Sequence, residues 1–209
     1  MENSSILETF QSDAYQLLKK IGEGGFGQVY LARQNNTGQS VAIKFLSISS
    51  EFDAAKKQRY IDRFSRETLL SSRLQHPNIV RLLDKGQYGE ALLYAVFEYV
   101  DGVSLKEYLA EHGAFTAVES ANIMAQILDG LTHAHEQGVI HRDIKPANIM
   151  LSTVGAKMHA KVLDFGIGTL VNEARQLDYK SITLTQETLG TPSYSAPEQL
   201  RGEPPTIKT

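Results

Sequence analysis

The chain changes character at Asp101-Gly102, and this change constrains its fold most strongly. Before it, short apolar stretches separated by turn residues predict five strands, over residues 17–21, 28–33, 40–46, 79–84 and 92–99. A long charged stretch among them, residues 53–74, lacks Gly and Pro and predicts a helix. After it, residues 105–111 and 118–137 have helical periodicity. Strands followed by helices are typical of an α+β architecture in two lobes.

Composition excludes several classes of function. The 209 residues include no cysteine, which rules out disulfide frameworks, Cys-bound zinc and thiol catalysis. The net charge is −3, which favours neither nucleic acid nor an anionic membrane as the main partner. No apolar run is long enough to span a bilayer and the N-terminus does not resemble a signal peptide. We therefore expect a cytoplasmic chain without a membrane segment.

A glycine-rich turn at residues 22–27 lies between the first two predicted strands. Taken alone, its Gly-x-Gly-x-x-Gly pattern fits a plain hairpin turn and a flap over phosphates about equally well. A dinucleotide-binding loop is disfavoured because such a loop opens a helix, whereas a strand is predicted here.

Strand alternation predicts the face on which Lys44 lies, close to this turn. Ala42 and Lys44 share one face of their predicted strand. An edge-strand lysine is the commoner interpretation in general, but the adjacent flap favours a lysine that faces a cleft. Glu67, in the predicted charged helix, is by itself typical of a solvated helix face.

A dense group of polar residues occupies positions 141–148, directly after an apolar pair. A second polar group, Asp164-Phe165-Gly166, follows another short apolar strand. A solvated loop could hold such residues. Asp143, Asn148 and Asp164 would nevertheless form an oxygen-rich site suited to Mg²⁺ if the two strand ends are adjacent.

Together these motifs resemble the eukaryotic-like (Hanks-type) Ser/Thr protein kinases, in particular their bacterial branch. The glycine loop, Val-Ala-Ile-Lys, His-Arg-Asp-x-Lys-x-x-Asn, Asp-Phe-Gly and Ala-Pro-Glu occur in the order of the kinase signature set, from about Tyr15 to Gly202. The resemblance implies an N-terminal extension over residues 1–14 and an N-lobe over 15–100 with a five-stranded antiparallel sheet and one helix. Residues 101–209 would form a truncated, mainly helical C-lobe that ends after the activation segment.

The resemblance implies a catalytic role for five residues. Lys44 would hold the α- and β-phosphates of ATP and pair with Glu67. Asp143 would orient the substrate hydroxyl and accept its proton, and Lys145 would neutralise the γ-phosphate. Thr191, with Lys145, is similar to the pattern of the Ser/Thr class rather than the tyrosine class.

The resemblance also implies a metal and nucleotide site. Asn148 and Asp164 would bind Mg²⁺, or Mn²⁺ in its place. Adenine would lie between Val29 and Ala42 on one side and Met150 on the other. The full set expected to bind ATP is Ile21, Gly22, Glu23, Gly24, Gly25, Phe26, Gly27, Val29, Ala42, Lys44, Phe97, Glu98, Val100 and Met150.

Residues 164–198 are similar to a kinase activation segment. Thr183 and Thr185 are its expected autophosphorylation sites, because Arg142 precedes Asp143 and kinases of this type commonly use that arginine to hold a phosphorylated residue. The expected partners are ATP and proteins with Ser or Thr acceptors, with no nucleic acid, and the oligomeric state is left open.

Complete kinase domains continue through further helices after Ala-Pro-Glu, which leaves an alternative open. That alternative is a nucleotide-binding but catalytically weak kinase fragment or scaffold. A small-molecule kinase of related fold is disfavoured because residues 190–198 resemble a peptide-substrate platform.

Overall fold

The computed structural model describes residues 6–24, 27–155, 157–165, 192–201 and Thr206. The chain divides into two compact units. The first unit contains Met1–Thr68 and Leu82–Tyr99, and the second contains Leu69–Arg81 and Val100–Thr209.

A five-stranded antiparallel sheet forms the body of the first unit, with strand order β1-β2-β3-β5-β4. This confirms the five-stranded antiparallel sheet expected there. The strands are β1 Tyr15–Gly24, β2 Gly27–Gln34, β3 Ser40–Ser47, β4 Leu82–Tyr88 and β5 Leu92–Glu98.

One face of this sheet carries a cluster of buried apolar residues. Its buried residues are Phe10, Tyr15, Tyr30, Ala32, Val41, Ile43, Phe45 and Val96. Phe10 follows a short helix, α1 (Ile6–Thr9), and packs edge-on against Phe45 with ring centroids 4.9 Å apart. The Tyr88 hydroxyl donates to the main-chain carbonyl of Thr9 at 2.7 Å and so fixes this segment against β4. Within the predicted N-terminal extension, residues 6–10 therefore pack against the sheet.

The predicted charged helix is α2, Ala54–Ser71. Its start is set by Asp53, whose Oδ1 accepts a hydrogen bond from the Lys56 N–H at 2.7 Å and satisfies a donor that the first helical turn leaves unpaired. The helix ends three residues earlier than the predicted Leu74.

The second unit contains the two predicted helices, α3 (Leu105–His112) and α4 (Ala117–Glu136). Each begins at a reciprocal capping box, Ser104 with Glu107 and Thr116 with Glu119. A three-stranded sheet of β6 (Val103–Ser104), β7 (Ile149–Val154) and β8 (Lys157–Val162) accompanies them, and a short helix α5 (Pro197–Leu200) follows later in the chain.

The core of the second unit joins these helices and strands. Its buried members are Leu74, Ile79, Ile123, Ile127, Ala134, Val139, Ile149, Leu151, Ala160, Val162 and Phe165. Among the described residues, no helix is both long and apolar enough to cross a membrane.

One predicted strand was wrong in position. Residues 79–84 were expected to form it, but β4 begins at Leu82 and continues to Tyr88. Ile79 instead forms an isolated parallel bridge with Val162, because the main-chain groups of Asn78 and Val80 bond to Val162 at 2.8 and 2.9 Å. Leu69–Arg81 therefore groups with the second unit, whereas the sequence assigned these residues to the N-lobe.

Candidate functional site

Each unit carries its own group of predicted site residues. In the first unit, the antiparallel register pairs Lys44 with Val29 on one side and with Ala95 on the other, and it pairs Ala42 with Phe97. Directly paired residues point to the same face of a sheet. Val29, Ala42, Lys44 and Phe97 therefore lie on one face, opposite the face that carries the cluster around Tyr30, Ile43 and Phe45.

Lys44 is 3% exposed, which is unusual for a lysine. A buried ammonium group is costly unless charged or polar groups surround it, so burial at this position points to a role that a solvent-facing lysine does not have. Glu67, its predicted partner, lies half-buried on α2. The pairing of the two side chains stays a prediction.

At the glycine-rich turn, Gly24 at the end of β1 pairs with Gly27 at the start of β2. Gly27 has φ +103°, a conformation that side chains other than glycine rarely adopt, and an added Cβ would overlap the main-chain oxygen of Phe45. Of the other predicted residues of the turn, Ile21, Gly22 and Glu23 lie on β1, whereas Gly25 and Phe26 lie outside the described residues.

The second unit brings Asp143, Lys145 and Asn148 together. Oδ2 of Asp143 accepts from Lys145 Nζ at 2.8 Å and from Asn148 Nδ2 at 3.0 Å. The same Asn148 nitrogen also donates to the main-chain carbonyl of Asp143 at 2.7 Å. A carboxylate with two donors on one oxygen has its orientation fixed, and Oδ1 is then the oxygen that can face another group.

Asn148 fits the predicted role of metal ligand. Because its Nδ2 donates to a carbonyl, which can only accept, the orientation of the amide is settled and Oδ1 is its remaining ligand atom. The Leu163 N–H donates to the Asn148 carbonyl at 2.9 Å, which places the chain leading into Asp164 beside this loop. The described residues contain no group of three or more His, Asp or Glu side chains that could hold a metal unaided. Mg²⁺ is usually bound by one or two carboxylates together with phosphates, so this donor set suits it.

His141 holds the loop of residues 141–148 through both of its ring nitrogens. Its Nε2 lies 2.6 Å from the Leu163 carbonyl, and its Nδ1 accepts from the Asp143 N–H at 3.2 Å. A neutral imidazole protonated on Nε2 satisfies both contacts. Burial lowers the pKa of His141, which keeps the ring neutral.

Phe165 packs against the His141 ring, with centroids 4.7 Å apart, and is buried. Its main-chain carbonyl accepts from the Ser71 hydroxyl at 2.7 Å, which anchors it to the end of α2. Asp164 has φ +61°, and together with Arg142 at +69° it has a left-handed conformation. These are the two such residues, other than glycine, in the described chain. Arg142 directly precedes the predicted catalytic Asp143, and Asp164 is itself a predicted metal ligand.

Comparison with known protein families identifies the family of this chain. The sequence profile of the protein kinase domain family matches residues 15–209. The chain belongs to the protein kinase family.

Curated bacterial Ser/Thr protein kinases are similar to this chain in sequence. Serine/threonine-protein kinase PrkC of Bacillus subtilis is 42% identical over 198 residues, which are 95% of this chain and 28% of PrkC. The probable serine/threonine-protein kinase PknB of Corynebacterium glutamicum is 41% identical over 196 residues, which are 92% of this chain and 29% of that protein. The chain thus spans less than a third of the length of these two relatives.

Solved kinase structures share the fold. The kinase domain of Mycobacterium tuberculosis PknI matches with a TM-score of 0.66 and 26% identity, covering 94% of this chain and 68% of that chain. The two-lobed kinase-like α+β fold expected from the sequence is confirmed.

The other residues predicted to bind adenine lie on or next to two strands. Glu98 ends β5, Val100 is half-buried just beyond it, and Met150 on β7 pairs with Ser104 and Lys161. Thr183, Thr185 and Thr191 lie outside the described residues.

Sequence reasoning missed two contacts of the segments that carry the predicted catalytic and metal-binding residues, 141–148 and 163–165. One is the Ser71 hydroxyl on the Phe165 carbonyl, and the other is the Gln199 side chain on the Arg142 carbonyl. Both partners are main-chain atoms, so no pairing of side-chain chemistry could have indicated them in a single sequence.

Proposed function

We propose that the protein carrying this chain transfers the γ-phosphate of ATP to Ser or Thr hydroxyls of other proteins, using Mg²⁺. The observation that carries the proposal is the Asp143 carboxylate, whose Oδ2 is held by Lys145 and Asn148. Oδ1 is then the atom that would accept a hydrogen bond, and finally the proton, from a substrate hydroxyl.

The chain's own groups have separate tasks in this mechanism. Lys44 holds the α- and β-phosphates, and its burial strengthens that interaction. Lys145 lies 2.8 Å from Asp143 and is therefore near the transferring group, where its charge offsets the charge that develops. When bound through Asn148 and Asp164, Mg²⁺ supplies further neutralisation of phosphate charge.

The remaining assignments belong to the same proposal. Val29, Ala42 and Met150 contact adenine, the main chain at Glu98 and Val100 binds its edge, and the turn at residues 21–27 covers the phosphates. Thr191 helps to select Ser/Thr substrates. Autophosphorylation at Thr183 or Thr185 activates the enzyme through Arg142, which is exposed and cationic.

A matched peptide series tests the proposed reaction. The natural protein is incubated with γ-labelled ATP and four peptides that differ only in having Ser, Thr, Tyr or Ala at one position, with Mg²⁺ or with a chelator. We expect label on the Ser and Thr peptides only, and only with the metal. Label on Tyr alone, or transfer that persists with the chelator, would contradict the proposal, and ATP binding without transfer to any peptide would favour a nucleotide-binding scaffold.

A further inference from the structure

The side-chain amide of Gln199, on α5, contacts two main-chain groups. Its Oε1 accepts from the Ala196 N–H at 3.0 Å, and its Nε2 donates to the Arg142 carbonyl at 2.7 Å. A main-chain N–H can only donate and a carbonyl can only accept, so these two partners determine which end of the amide is which.

The Arg142 carbonyl belongs to the peptide unit that leads into Asp143. The N–H of the same unit, that of Asp143, donates to His141 Nδ1 at 3.2 Å. His141 therefore holds one side of this peptide plane and Gln199 holds the other. The plane needs support because Arg142 has φ +69°, a conformation that a residue other than glycine leaves readily unless its surroundings fix it.

Two comparisons within the second unit separate this contact from simple helix capping. Glu107 in α3 and Glu119 in α4 occupy the corresponding third helical position and accept from the residue before the helix, as Gln199 does. A carboxylate suffices for that bond but cannot donate, whereas an amide accepts through its oxygen and donates through its nitrogen. α5 also has four residues and no fully buried side chain, so its cap secures little packing of its own.

We propose that Gln199 is a positioning residue for phosphate transfer. By holding the peptide plane before Asp143, it fixes the direction in which the Asp143 carboxylate leaves the main chain. The inference rests on the proposed function, because it assigns Gln199 to the same reaction. It does not require Gln199 to touch ATP or the substrate.

The decisive variant is Gln199→Glu, which keeps the size of the side chain and the cap acceptor and loses only the donor. We expect kcat for peptide phosphorylation to fall about tenfold, the loss of one hydrogen bond that orients the base, with KM for ATP within about twofold. Gln199→Lys is the reciprocal variant, since it loses the acceptor and keeps a donor, and we expect it to retain kcat within about threefold of wild type.

Glu119→Ala is the control for capping. It removes a comparable helix cap away from the loop, so it should lower the melting temperature and leave kcat unchanged. Hydrogen–deuterium exchange of residues 141–148, measured without substrate, supplies a readout independent of transfer. The exchange should be faster in Gln199→Glu and unchanged in Glu119→Ala.

The outcomes distinguish the two proposals. Unchanged kcat in Gln199→Glu, or unchanged exchange at residues 141–148, would overturn the inference about Gln199. Absence of transfer in the wild-type protein would instead count against the proposed function. In that case faster exchange in Gln199→Glu would still support the fixing of the peptide plane, and unchanged exchange would refute it.

Discussion

Replacing Asn148 by aspartate should destabilise the second unit more than deleting its side chain. Asn148 is 8% exposed, and its Nδ2 donates to the carbonyl and to Oδ2 of Asp143 at 2.7 and 3.0 Å. Asn148→Ala loses one neutral hydrogen bond and one to a charged acceptor, worth together about 2–4 kcal/mol in the free energy of unfolding. Asn148→Asp loses both bonds and also places a second carboxylate against Asp143. At an effective dielectric constant of about 20 and a separation of about 4 Å, that repulsion adds up to about 4 kcal/mol.

We therefore expect the free energy of unfolding at pH 7.5, measured with urea in the absence of nucleotide, to be highest in the wild type, lower in Asn148→Ala and lowest in Asn148→Asp. Two carboxylates in contact retain a shared proton to a higher pH than an isolated carboxylate does, so the penalty in the aspartate variant is full at high pH. The difference between the two variants should shrink as the pH is lowered to 5. Asn122→Asp, on an exposed position of α4, should change stability by less than about 0.5 kcal/mol. An aspartate variant as stable as the alanine variant at pH 7.5 would refute the reasoning.

Three further predictions concern other buried groups. Lys44→Met should reduce phosphate transfer by about 10²–10³-fold without lowering the unfolding midpoint, whereas exposed Lys106→Met should leave transfer unchanged in the same kinetic assay. Burial lowers the pKa of His141, so the unfolded chain takes up the proton first as the pH falls. The free energy of unfolding should therefore fall below about pH 6.5, by up to about 1.4 kcal/mol per pH unit. His141→Gln should remove this part of the pH dependence in denaturant titrations, and an unchanged dependence would argue against a neutral ring. Phe10→Ala should cost at least about 2 kcal/mol in unfolding free energy, and Leu7→Ala, at a 43% exposed position, less than about 1 kcal/mol; equal costs would contradict the packing assigned to Phe10.

Strand alternation carried much of the prediction in the first unit. The alternation of residues 41–44 places Ala42 and Lys44 on one face, and the register with β2 and β5 adds Val29 and Phe97 to it. Local patterns specify local direction well, because side chains in a strand alternate whatever their partners. The start of α2 at Asp53 and the start of α3 at Ser104 follow from capping chemistry that is equally local.

The single sequence did not indicate which residues contact each other when they lie far apart along the chain. Ile79 belongs to an apolar stretch that would suit β4, yet its neighbours bond to Val162 on β8. Gln199 lies 57 residues from Arg142 and binds its main chain, which carries no residue-specific signal. The position of Phe10 is a third case, since an isolated aromatic residue before the first strand does not indicate which surface buries it.

The most direct test of the account is the single-turnover rate of γ-phosphate transfer in the wild-type protein and in Asp143→Asn, with ATP affinity measured on the same samples. Asp13→Asn, at an exposed position, serves as the matched control. We predict that Asp143→Asn lowers the transfer rate by at least about 10²-fold and leaves ATP affinity within about threefold, because the carboxylate serves the hydroxyl and not the nucleotide. Transfer at the wild-type rate in Asp143→Asn would contradict the assignment of this loop as the catalytic centre.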